Sequence, residues 1–267
     1  MPELPEIEYF KKYFNRTSLK QKIKNVKSST RSLIKKTSFK HFKEYLKNNS
    51  FENSQRRGKF LIVSLSSGVK NIIFHFGMTG NFKYLKTANR NKYREEIKFS
   101  RARFEFENDY ELNWLNMRKL GKIYMVDKPG EIKLIHRLGP EPLDMKKENF
   151  LRLLERNRRK GLKSFFMHQD VIAGVGNIYS DEILFKTGLR PSRKVSSLKC
   201  KQKENLFKNM KKVLKEGIKK QAPSENFGNF WVLSHRKDRI CPNNPEHRIK
   251  RKKVSGRASY FCPQCQK

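Results

Sequence analysis

Acidic side chains are scarce in this 267-residue sequence: 25 Asp and Glu stand against 62 Lys and Arg, a formal net charge of +37 at pH 7. A chain so short of negative charge repels itself unless a polyanion lies against it. Nucleic acid is the leading candidate, because each phosphate neutralised by a cation releases condensed counterions. Cysteine is scarce too. Four residues (Cys200, Cys241, Cys262, Cys265) are too few for a disulfide framework, and with three of them near the C-terminus they read as a metal site in a reducing compartment. No run reaches the roughly 18 apolar residues that a membrane span requires. The opening MPELPEIEYF carries acid where a secretory signal carries base, so the reading is an intracellular protein with no membrane partner.

What is present suffices for packed cores. The hydrophobic fraction is 36%, and 20 Phe supply much of the burial. The length fits one large or two small domains plus an appendage. A first helix is expected from about Pro5 to Phe14, with Pro5 in its first turn. Short apolar runs follow at 60–65, 71–76, 102–107, 111–115 and 122–126. In 102–107 the apolar Ala102, Phe104 and Phe106 alternate with Arg103, Glu105 and Glu107, the pattern of a half-buried antiparallel strand. The polar stretch from Lys83 to Lys98 reads as a loop. After RLGPEPLD at 137–144 the period becomes helical, with Phe150, Leu153 and Leu154 on one face and Leu206, Met210, Val213, Leu214 and Ile218 on another. HQDVIAGVGNIYSDEILF reads as two apolar helices joined at Gly174 and Gly176, and the last stretch as a basic, cysteine-bearing hairpin. The expected fold is α+β: a β-sandwich or barrel with an N-terminal helix over 1–130, a linker over 131–146, a helical domain over 147–225 and a cysteine-bearing hairpin over 226–267.

Three places carry chemistry. Removal of Met1 would leave Pro2 as a terminal secondary amine with a pKa of roughly 8, able to attack a sugar carbon and form an iminium. Glu3 and Glu6 follow it at a spacing that suits proton transfer to the amine, and equally suits a helix N-terminus. Backbone N–H groups at the GVG turn and the following helix start make an anion site, to which Asn177 adds a donor. Cys262 and Cys265 form a CxxC half site. Cys241 lacks a matching second cysteine, so His247 is the obvious fourth ligand in a Cys₃His set for one structural zinc ion. Cys200, on a Lys-rich helix, reads as structural.

The strings PELPEIE (2–8), QRRGKFLIVSL (55–65), IIFHFGMTG (72–80), LGPEPLD (138–144), GVGNIYSDEILF (174–185) and SYFCPQCQK (259–267) together resemble the formamidopyrimidine-DNA glycosylase / endonuclease VIII family, in order and along nearly the whole chain. The resemblance implies an N-terminal antiparallel β-sandwich and a helix–two-turn–helix DNA-binding second domain ending in a zinc-binding hairpin. It implies a bifunctional DNA glycosylase/AP lyase that excises oxidised bases from damaged double-stranded DNA and cuts the strand by β,δ-elimination, with no small-molecule cofactor. By residue, Pro2 would be the Schiff-base nucleophile, Glu3 the general acid/base, Glu6 a supporting carboxylate and Lys59 a phosphate contact near the lesion. His75, Met78 and Arg118 would approach the opened duplex, Met78 filling the space of the extruded base and Arg118 facing its orphaned partner. Asn177 and Arg257 would bind DNA, Arg257 through its bidentate fork. A monomer in the bacterial cytoplasm or nucleoid is the corresponding setting.

The sequence departs from the family in two further places. Arg118-Lys119-Leu120 stands where purine-preferring members carry Arg-Arg-Phe, so the aromatic wedge becomes aliphatic at Leu120. The segment from Gln221 to Cys241 is shorter than the loop that caps a flipped 8-oxoguanine. The expected substrates are therefore formamidopyrimidines and oxidised pyrimidines ahead of 8-oxoguanine. Two rivals are a non-catalytic, basic zinc-hairpin DNA-binding protein on the same scaffold, and a ribosomal-type RNA binder. The first gives no reason for a terminal amine, and the second leaves PELPE and GVGNIY unexplained.

Overall fold

The computed structural model describes residues 1–220 and 231–267. These divide into two compact units: Met1–Pro2 with Ile7–His136, and Glu3–Glu6 with Arg137–Lys267. The boundary expected at 225/226 and the first part of the short segment beginning at Gln221 lie outside the described residues.

The chain begins with helix α1 (Leu4–Thr17), where Ile7, Phe10 and Phe14 recur at helical spacing and are buried. Beyond it the first unit holds β1 (Ile23–Ser28), β2 (Ile34–Lys35), α2 (Phe39–Leu46), β3 (Phe51–Arg57), β4 (Phe60–Leu65), β5 (Asn71–His75), β6 (Gly80–Lys86), α3 (Arg94–Ile97), β7 (Ser100–Phe106), β8 (Tyr110–Asn116), β9 (Lys122–Val126) and α4 (Lys133–His136). Two sheets form, in orders β1-β7-β8-β6 and β2-β9-β5-β4-β3. All pairings are antiparallel except the short β2–β9 pair. Their inner faces share one core in which Phe14, Phe51, Phe74, Phe82 and Phe104 pack ring against ring and Trp114 is fully buried. This is the sandwich that the resemblance implies, one of the two forms the alternation allowed. Two expectations need correction. The stretch 83–98 is not a loop throughout, because β6 runs to Lys86 and α3 follows; Leu85 and Ile97 supply the buried contacts that the charges between them hid. β1 and β3, rich in Lys, Arg and Asn on their outer faces, gave no apolar run to read.

The second unit contains α5 (Lys147–Arg156), α6 (Leu162–Met167), α7 (Asn177–Thr187), α8 (Cys200–Lys219), and the hairpins β10 (Ile240–Cys241)–β11 (Asn244–Arg248) and β12 (Lys250–Val254)–β13 (Arg257–Phe261). Phe150, Leu154, Phe165, Phe166, Ile183, Leu206, Met210 and Leu214 build its core. A smaller cluster of Phe185, Val232, Cys241, Ile249 and Cys262 lies under the hairpins. Residues 168–176 are not the first of two helices, as the apolar run suggested. The Gln169 side chain takes over the backbone there: its amide donates to Met167 O and Val175 O, and its carbonyl accepts from Gly174 N at 3.0 Å. Cys200 is exposed at the start of α8.

A buried ion pair holds strand β13 to the helices. Lys163 Nζ donates to Asp181 Oδ1 at 2.7 Å and to the carbonyl of Ala258 at 3.2 Å, while Ser259 Oγ and Tyr260 N donate to the same carboxylate. Both charged residues are fully buried. Burial pushes the Asp181 carboxyl up and the Lys163 ammonium down from their ordinary ranges, each opposed by the attraction of the other.

Candidate active site, metal centre and exposed tip

In the second unit the acids of the N-terminal segment meet the start of α7. Glu3 is 1% exposed. One of its carboxylate oxygens accepts from Gly176 N at 2.7 Å and Tyr179 N at 3.3 Å, and the other from Ile178 N at 2.8 Å. The anion site expected at the glycine turn is therefore filled by the chain's own carboxylate, where unpaired N–H groups and the helix dipole favour negative charge. Gly174 permits this. It has φ +83°, and a side chain there would place its first carbon 2.8 Å from Leu4 Cβ, while Leu4 N donates to the Gly174 carbonyl at 2.9 Å.

Glu6 completes the cluster. It accepts from Glu3 N at 2.8 Å and, through its other oxygen, from the Tyr179 hydroxyl at 3.0 Å. Burial, reinforced by the neighbouring Glu3 charge, raises its carboxyl to about 7. This acid therefore holds a proton over part of the neutral range. Tyr179 was not singled out by the sequence reading, although it lies within the GVGNIY string. Asn177 opens α7, and its buried Oδ1 has no hydrogen-bond partner among the described residues.

In the first unit, Pro2 directly precedes Glu3 in the chain, and Lys59 lies in the β3–β4 turn, nearly buried. His75 ends β5 and pairs across to Phe60 with ring centroids 4.9 Å apart. Burial first, then the charges of Lys59 and Lys122, lower its pKa to about 4. His75 is thus held neutral at pH 7.

Met78, Arg118 and Leu120 come together on two loops of this unit. Arg118 Nη1 lies 3.2 Å from Met78 Sδ, and Arg118 N donates to Thr79 Oγ1. Met78, Met117 and Leu120 are 41%, 48% and 47% exposed. These large apolar groups project from the surface instead of joining the core. Their platform is Asn116, another residue that the sequence reading missed. Its fully buried amide accepts from Leu120 N and Gly121 N and donates to Phe76 O at 2.9 Å. Gly121 is required here, since an added side-chain carbon would lie 2.2 Å from Asn116 Nδ2 and 2.8 Å from His75 O.

In the hairpins, one ligand atom from each of Cys241, His247, Cys262 and Cys265 lies within 4.8 Å of the other three. Cys241 Sγ is 3.7 Å and His247 Nδ1 3.3 Å from Cys265 Sγ. Three soft thiols and an imidazole converging at this spacing fit a tetrahedral metal ion, and the half site with the missing cysteine is completed by His247. Arg257 is exposed at the start of β13.

Comparison with known proteins agrees with this architecture. The family model of the formamidopyrimidine-DNA glycosylase N-terminal domain matches residues 1–123, and that of the formamidopyrimidine-DNA glycosylase H2TH domain matches residues 138–227. The formamidopyrimidine-DNA glycosylase of Pelotomaculum thermopropionicum is 30% identical over 281 residues, covering 100% of this chain and 99% of the relative. That of Listeria monocytogenes is 31% identical, with full coverage of both. The crystal structure of the Lactococcus lactis enzyme bound non-covalently to DNA containing an abasic site superposes with a TM-score of 0.88, at 25% identity over 99% of each chain. A sandwich unit, a helical DNA-binding unit and a Cys/His hairpin, matched from end to end, define the class as a DNA glycosylase and AP lyase of base excision repair. Within that class, the chain belongs to the formamidopyrimidine-DNA glycosylase family. The non-catalytic binder and the RNA binder are not favoured. No described helix is long and apolar enough to cross a membrane.

Proposed function

We propose that Pro2, freed by loss of Met1, is the nucleophile. Its secondary amine attacks C1′ of the damaged nucleoside, the glycosidic bond breaks, and the base departs with the bonding electrons and a proton. The nitrogen lone pair then expels O4′, which takes up a proton as the sugar ring opens, and the resulting iminium acts as an electron sink, so that β-elimination breaks the 3′ C–O bond and δ-elimination the 5′ C–O bond. Glu3, adjacent to the amine in the chain, exchanges protons with the reacting centre, and Glu6 stabilises the charge that develops there. The observation that carries this reading is the pair of buried acids, Glu3 fixed by three backbone donors and Glu6 raised to about 7, built into the residues that immediately follow the amine.

Lys59 and Arg257 bind phosphates, and Asn177 supports the DNA contact from the start of α7. At the exposed tip, Met78 and Leu120 enter the stack vacated by the extruded base, while Arg118 faces the orphaned partner, offsetting a few kcal/mol of unstacking. His75 accompanies them as a neutral group. With an aliphatic Leu120 as wedge, the favoured lesions are formamidopyrimidines and oxidised pyrimidines. The protein acts as a monomer inside the cell. Cys241, His247, Cys262 and Cys265 hold one zinc ion, which cross-links the hairpins and takes no part in the chemistry. Metal analysis should give one zinc per chain, reduced in His247→Ala.

Borohydride trapping on duplexes carrying formamidopyrimidine, thymine glycol, dihydrouracil or 8-oxoguanine tests the mechanism and the substrate order together. The wild type should form a covalent complex, fastest with the first three, and Pro2→Gly should form none. Full-yield trapping by Pro2→Gly would refute the nucleophile, and 8-oxoguanine as the fastest substrate would refute the lesion order.

A further inference from the structure

The first unit carries a cavity of about 730 Å³ on the outer face of the β1-β7-β8-β6 sheet, roofed by the segment containing α3. Its cations are Lys27, Arg90, Arg94, Lys98, Arg101 and Arg103, against one lining acid, Glu95. Below it, Glu111 is fully buried and holds Arg90 at 2.6 Å and Arg103 at 3.5 Å, while Glu105 holds Arg103 at 2.9 Å and Lys27 at 3.0 Å. Even with these two acids counted, three positive charges remain over. The floor acids also fix the arginine forks before any ligand arrives, which lowers the ordering cost of binding. Arg103 Nε is buried with no hydrogen-bond partner among the described residues. A pocket of preset guanidinium groups with positive charge to spare suits a phosphate oxygen.

The cavity is also fixed relative to the exposed tip. Arg101 Nε donates to the carbonyl of Asn116 at 3.1 Å, and Ser100 pairs with Leu115. Asn116 is the platform from which Met117, Arg118 and Leu120 project. We propose that this cavity seats backbone phosphates of the DNA strand opposite the lesion. This rests on the reading that Arg118 faces the orphaned base. A side chain facing that base is directed at the undamaged strand, whose phosphates repeat every few ångströms along the axis. The cavity would grip the undamaged strand beside the tip that enters the stack.

The test uses the full protein carrying Lys27→Gln, Arg94→Gln and Lys98→Gln, at exposed positions where the cations make at most surface ion pairs, so folding should persist. Binding is measured by fluorescence anisotropy on a duplex containing an abasic-site analogue and on the single strand bearing the same analogue. A control removes the same charge from the exposed side and end of α2 with Lys40→Gln, Lys43→Gln and Lys47→Gln. The cavity variant should bind the duplex about tenfold more weakly, with its salt dependence reduced by one to two ions, about 0.9 for each phosphate that is no longer neutralised. Its single-strand affinity, and both affinities of the control, should stay within about twofold of wild type. Equal weakening by the control, or equal weakening on the single strand, would overturn the proposal. So would binding of inorganic triphosphate at micromolar concentration that leaves duplex affinity unchanged, the sign of a small-anion site. Borohydride trapping of the cavity variant at saturating concentration should remain complete. Failure of trapping in the wild type would instead count against the proposed function.

Discussion

Glu6 sits among groups that disfavour its charge: it is buried, beside Glu3, and compensated by one amide and one phenol. Its folded pKa of about 7 lies above the ordinary 4.5, so between those values the native state keeps a proton that the unfolded chain has lost. The stability contributed by this group is therefore present below about pH 4.5, falls as pH rises towards 7 and is lost above it. Glu6→Gln keeps the shape. Its carbonyl can accept from Glu3 N, and its amide can donate to a Tyr179 hydroxyl turned to accept. The variant should gain stability at pH 8 by up to about 3 kcal/mol and little at pH 5, as read from urea unfolding at both values. A gain that does not depend on pH would refute the raised pKa. Glycosylase activity should fall in the same variant. At this scale the sequence was partly legible. Pro2, Glu3 and Glu6 stand in a short string, and Cys241, His247, Cys262 and Cys265 in two others. Asn116 and Tyr179 were not legible, because a buried amide or phenol earns its role from partners 40 to 173 residues away.

The elements show why some strings were read to the residue and others not at all. β4 and β9 coincide with apolar runs at 60–65 and 122–126, because strands packed against a core need such runs. The turn at 168–176 was misread since Val171, Ile172, Ala173 and Val175 are buried as helix residues would be, while a side chain, Gln169, supplies the hydrogen bonds. Similarly, no periodicity announces that α6, α7 and β13 share the Lys163–Asp181 pair. Lys163→Met should leave the buried Asp181 carboxylate with only Arg236, 3.8 Å away, as a cation, costing about 3 kcal/mol and loosening β13. Adding Asp181→Asn should recover most of the loss, because the poorly compensated charge is gone. Chemical denaturation of the single and double variants checks this, and equal instability of both would contradict it.

For the whole molecule, the excess of 37 positive charges dominates encounters with nucleic acid. Affinity for undamaged duplex should fall by at least about a thousandfold between 50 and 200 mM salt if six or more phosphates are neutralised. Anisotropy titrations across that range measure it, and a flat response would mean that these charges are solvated away from the DNA.

The amides that hold Glu3 lie 173 to 176 positions further along the chain. At a translation rate of about 5–20 residues per second, the nascent N-terminus spends on the order of ten seconds outside the ribosome before Gly176 to Tyr179 are made. Over that interval an aminopeptidase can trim the methionine, but the acids beside the exposed proline have not yet been set in place. On the proposed mechanism, a newborn chain therefore carries a free imino group that is not yet armed against DNA, and premature release or truncation before α7 would yield an inert fragment instead of an unregulated nuclease.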